Sequence, residues 1–200
     1  MDFETGNVDF EGNIMISGGV KPGFKLRASG TVQIGGAIEG AIVEAGSDIT
    51  VAGGIVGRGE AVVRSGGAIT ARFVEQAELH AAGPIKVGSE IRLSTAISEK
   101  SIIVSGQGRI VGGTVRARDL VEAKVLGSPA ATPTSVQVGY GEEMEVEIGQ
   151  QHTHTCRISV SGEVNGGVTM VVWGAAERFS RVHPGGVWRE KDGKVEYSAR

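Results

Sequence analysis

Ile49-Thr50-Val51 is one copy of a phrase that decides the fold: two apolar residues flanking one outward-facing residue, just after a turn. The other copies are Ile14-Met15-Ile16, Val32-Gln33-Ile34, Ile69-Thr70-Ala71, Ile85-Lys86-Val87 and Ile102-Ile103-Val104, with a weaker seventh at Val121-Glu122-Ala123. Their first residues lie 18, 17, 20, 16, 17 and 19 positions apart. Period two puts each apolar pair on one face of a strand. A unit this short cannot bury its own apolar face, so neighbouring copies must stack.

A second strand precedes each phrase, at Leu26-Arg27-Ala28, Val43-Glu44-Ala45, Val63-Arg64-Ser65, Leu79-His80-Ala81 and Val115-Arg116-Ala117, with an irregular copy at Ile97-Ser98-Glu99. A third, shorter strand follows, at Ile38, Ile55-Val56, Phe73-Val74, Ile91 and Ile110-Val111. Three strands and three corners per repeat of about 18 residues describe a parallel β-helix of about seven rungs over residues 1–128. Stacked rungs should place Arg27, Glu44, Arg64, His80, Glu99 and Arg116 in one outward column of nearly alternating charge, with His80 beside Glu99. The long corners at Gly53–Glu60 and Ser105–Arg109 are expected on one edge, carrying Arg58 and Arg109.

Composition agrees with a solenoid. Glycine is frequent (33 residues) and aromatics are rare (4%), because small and β-branched residues fill a narrow interior. The net charge is -3 and no segment is basic enough to bind a phosphate backbone, so no nucleic-acid partner is expected. Cys156 stands alone and allows no intrachain disulfide, which fits a reducing compartment. The acidic start Met1-Asp2-Phe3-Glu4 has no apolar signal region, and no stretch is long enough to span a bilayer. A cytoplasmic location without membrane insertion is the expectation.

Residues 129–135, from Pro129 to Ser135, have linker composition, and the 18-residue beat ends there. Residues 136–200 read as antiparallel β. Val136-Gln137-Val138 and Met144-Glu145-Val146-Glu147-Ile148 flank Gly139-Tyr140-Gly141, and Ile158-Ser159-Val160 pairs with Val168–Trp173 around Asn165-Gly166-Gly167. Asp192-Gly193 is a hairpin turn between Val187-Trp188 and Val195-Glu196-Tyr197. This segment is expected to cover the open end of the solenoid.

Thr5-Gly6-Asn7-Val8-Asp9-Phe10-Glu11-Gly12, Gly53-Gly54-Ile55-Val56-Gly57, Gly108–Ala117 and Val121–Ser128 follow one another in an order and spacing that resemble the β-solenoid domain of the bacterial flagellar assembly protein A family. The resemblance covers about residues 5–138, and Val160–Val164 and Val187–Val195 look like the family's closing strands. It implies a right-handed β-helix in a cytoplasmic protein tied to flagellar assembly or cell-pole organisation. It carries over no catalytic residue. Family members usually have an N-terminal domain before the repeats and a coiled coil after the Val136 region; this chain opens on the first rung and has no heptad there. Bactofilins, which polymerise end to end, are more distant architectural relatives.

The outward column Met15, Gln33, Thr50, Thr70, Lys86, Ile103, Glu122 holds neither an acidic pair nor an aromatic platform of the kind β-helix hydrolases use. No enzyme and no cofactor is expected. His152, His154 and Cys156 share one strand face and are the metal-ligand candidates, of zinc or copper type, with no evident fourth ligand; a polar strand with a half-buried cysteine is the plainer alternative. The expected function is a non-enzymatic scaffold for protein partners. A self-assembling polymer joined through its ends and a metal-binding module are the alternatives.

Overall fold

The computed structural model describes residues 6–139 and 156–199. It is all β. The chain begins with β1 (Val8–Phe10), β2 (Ile14–Ile16), β3 (Lys25–Ala28), β4 (Val32–Ile34), β5 (Ile38–Glu39), β6 (Ile42–Ala45), β7 (Ile49–Val51) and β8 (Ile55–Val56). It continues with β9 (Val62–Ser65), β10 (Ile69–Ala71), β11 (Val74–Glu75), β12 (Glu78–Ala81), β13 (Ile85–Val87), β14 (Glu90–Ser98), β15 (Ser101–Val104), β16 (Arg109–Ala117) and β17 (Leu120–Leu126). The last six are β18 (Thr134–Val138), β19 (Arg157–Val164), β20 (Val168–Val172), β21 (Ala175–Arg178), β22 (His183–Lys191) and β23 (Lys194–Ala199).

These strands stack in parallel as a solenoid of about seven turns with additional strands at the C-terminus. The first face stacks β1, β3, β6, β9 and β12, then the second half of β14. The second face stacks the repeated phrase, so that Val32, Ile49, Ile69, Ile85 and Ile102 lie directly over one another. The third face stacks Val20, Ile38, Ile55, Val74 and Ile91. All of these inward residues of the second and third faces are at most 1% exposed. Similar β-branched side chains in vertical columns fill the narrow interior without aromatic bulk.

Three features depart from the sequence expectation. The irregular rung is Ala96-Ile97-Ser98, because Ala96 stacks on Leu79 and Ile97 on His80. Hydrophobicity pointed to Ile97 as the inward residue, but the small Ala96 is the one at 0% exposure. The long corners also lie on different edges. Gly57–Glu60 sits between the third and first faces, whereas Ser105–Gly108 sits between the second and third. Finally, the parallel register continues beyond residue 128: β18 stacks on β16, β19 on β17 and β20 on β18. Residues 129–133 form a corner of that path, with Gly113 N–H donating to the Pro133 carbonyl at 3.2 Å.

Gly166-Gly167 is likewise a solenoid corner and not a hairpin, and Gly167 takes φ +81° there. Local turn chemistry is the same in both cases; the strand below decides. Among the described residues antiparallel pairing is confined to β20–β21, β19–β22 and β22–β23, the last through Asp192-Gly193 with both φ positive. Met144–Ile148 lies outside the described residues.

The corner between the third and first faces holds a left-handed residue in six successive rungs, Gly23 and Gly112 among them. Gly40 supplies it at φ +47°, but Arg58, Gln76 and Leu93 adopt nearly the same φ with a side chain. A non-glycine residue there costs about 1 kcal/mol. Gln76→Gly is therefore expected to raise stability by roughly 0.5 kcal/mol after the added unfolded-state entropy of glycine. Chemical denaturation would measure it, and a loss of stability would show that the Gln76 side chain contributes more than its backbone costs.

Candidate functional site

Among the described residues the first face carries the longest run of linked ion pairs, and the third face carries two separate ones, Lys21–Glu39 and Glu75–Arg92. The outward column of the first face runs Asp9, Arg27, Glu44, Arg64, His80, Ile97, Arg116 and Gln137. Glu99 is not in it: Ile97 takes that rung, and Glu99 falls on the following corner. Arg27 pairs with Glu44 at 2.6 Å, and Arg64 reaches Glu44 at 3.7 Å and Glu78 at 3.3 Å. His80 pairs with Glu78 at 2.7 Å, in place of the expected Glu99. Glu78 was legible, since it stands two residues before His80 on one strand and so shares its outward face.

The Glu44 hydrogen bond and charge, with the charge of Asp9, raise the Arg27 guanidinium above its ordinary value. Exposed pairs of this kind contribute little to stability, because water screens them. Their effect is on side-chain order: opposite charges one rung apart fix one another over a rigid backbone. Glu44, Arg64, His80, Ile97 and Glu99 together line an open groove of about 380 Å³. Ile97 is the largest apolar side chain in that groove, beside Ala45, Ala81 and Ala82.

His152 and His154 lie outside the described residues. Cys156 is 6% exposed, and a Cβ added at Gly139 would come within 2.9 Å of its Sγ. Burial pushes the Cys156 thiol above its ordinary value, with Glu190 and Asp119 adding to the shift. The folded state thus holds this proton more tightly than the unfolded chain does. Its contribution to stability is complete below the unfolded thiol's pKa and is lost as pH rises from there through the folded one. Alkylation of Cys156 by iodoacetamide is expected to run at least about 10-fold slower in the native protein than in denaturant at the same pH. Equal rates would mean the thiol is accessible. Among the described residues no group of three His, Cys, Asp or Glu side chains is placed to hold a metal. No helix among the described residues is long and apolar enough to cross a membrane.

A charged strand face beside an open groove is thus the surface that the described residues of this parallel β-solenoid offer. The Flagellar Assembly Protein A beta solenoid domain matches residues 1–150, and the chain belongs to that family. No curated protein and no solved structure matches it.

Proposed function

We propose that the chain is a non-enzymatic scaffold that presents the first face of its solenoid to protein partners in flagellar assembly or cell-pole organisation. The observation that carries this reading is the ordered ladder Arg27–Glu44–Arg64–Glu78–His80 beside the apolar Ile97. Mixed charge around an apolar centre suits a protein surface and gives orientation more than affinity. Family membership supplies the flagellar context.

The test is genetic complementation in a flagellated host that depends on this protein. Wild type should restore flagella, whereas an Arg64→Glu, Ile97→Asp variant with an unchanged melting temperature should not. Full rescue by that variant would remove the first face from the function.

A further inference from the structure

The left-handed corner between the third and first faces holds glycine in the rungs of Gly23, Gly40 and Gly112, but a side chain in the three rungs between Gly40 and Gly112. Gly59 N–H donates to the Gln76 carbonyl at 2.9 Å, which seats Arg58 on Gln76. Gln76 stands in turn on Leu93, since Glu75 pairs with Arg92 one residue earlier. A left-handed backbone is costly under a side chain and nearly free under glycine. Strain kept in three successive rungs, where the rungs on either side use glycine, points to side chains with a use of their own.

Arg58, Gln76 and Leu93 line an open groove of about 400 Å³, with Val62, Glu78 and Thr95 of the first face along its other side. Leu93 is 45% exposed there. Arg58 has no ion-pair partner among the described residues. Glu78 is already held by Arg64 and His80. Glu60 turns toward the preceding rung, its Oε2 3.7 Å from where a Gly40 Cβ would sit. The groove therefore offers a free guanidinium, an amide and an apolar side chain in a row.

We propose that this groove holds an amphipathic helix of a partner protein, with a carboxylate on Arg58 and an apolar side chain on Leu93. Charge selects the acid, because Arg58 is the unpaired ion of the groove. Spacing selects the helix. Rungs stand about 4.8 Å apart, so Arg58 and Leu93 are seated roughly 9.6 Å apart with Gln76 midway. Residues seven apart on a helix share a face and lie about 10.5 Å apart, with a residue three or four on between them. On an extended strand, residues on one face recur every ~6.7 Å, so the second falls about 3 Å short of Leu93 and the third about 4 Å beyond it. The proposal deepens the scaffold reading by naming the chemistry of one partner segment. Its side chains are intact in the Arg64→Glu, Ile97→Asp variant, so the two readings fail in different experiments.

The probe is a synthetic alanine-based peptide of about 15 residues, cross-linked to stay helical, with Glu and Leu seven positions apart. Titrated into the isotope-labelled whole chain at low salt, it should bind with a Kd on the order of 1 mM or tighter and shift the amide resonances of Gly59, Ala77 and Thr95. Arg58→Glu should weaken binding by at least about 5-fold, and a peptide with Lys in place of its Glu should restore it. Leu93→Asn, whose side chain tolerates the left-handed backbone, should weaken binding by a similar factor. The amide spectrum of each variant would establish that it folds, and Arg58→Glu with the exchanged peptide suffices if Leu93→Asn does not. No shift at about 5 mM peptide, shifts confined to another face, or equal binding by Arg58→Glu would overturn the proposal. Equal binding of a proline-broken peptide of the same composition would overturn it as well.

Discussion

Ile69→Ala is expected to destabilise the protein by about 3 kcal/mol and to lower its melting temperature by roughly 10 °C. Ile69 is fully buried midway along the second face, directly between Ile49 and Ile85. Its loss leaves a cavity that cannot collapse, because ladder hydrogen bonds hold the backbone from the rungs on both sides. Thr70→Ala, one residue away on the outward side, should change stability by less than about 0.5 kcal/mol. Denaturant unfolding of both variants would check the contrast, and a cost below about 1 kcal/mol for Ile69→Ala would contradict the tight vertical packing.

The second large effect is expected at Trp188. It is fully buried on β22 opposite Ile158, and it meets Phe179 edge-on at 5.9 Å and Tyr197 at 5.2 Å. Trp188→Ala should cost about 4 kcal/mol and loosen the antiparallel strands over the end of the stack. The exposed strand edges should then promote concentration-dependent association, visible by light scattering. Trp188→Phe should cost much less, about 1–2 kcal/mol, because the buried indole N–H has no hydrogen-bond partner among the described residues to lose. Equal losses for the two variants would show that the N–H matters.

The columns of the first 125 residues were legible because a solenoid makes short-range sequence period and long-range packing the same thing. A residue at Ile49 predicts its contact at Ile69 from spacing alone. Arg27, Glu44, Arg64 and His80 align in that way from the sequence. Spacing misleads where side-chain size hides the register, at Ile97 and Glu99, and where the repeat lengthens, after Ser128. There the corner at residues 129–133 and the turn at Gly166-Gly167 carry the same Pro, Gly and Thr signals as a linker or a hairpin.

The parallel stack, its inward columns and the Asp192-Gly193 hairpin follow from the order of residues, because each depends on alternation or on local backbone preference. The folded molecule was needed to show which strand each later segment joins, and that β19 and β20 are paired at the C-terminal end of the stack with β22 and β21. Those outcomes depend on hydrogen-bond partners far away in the chain, and no local pattern encodes a partner that several segments could equally supply.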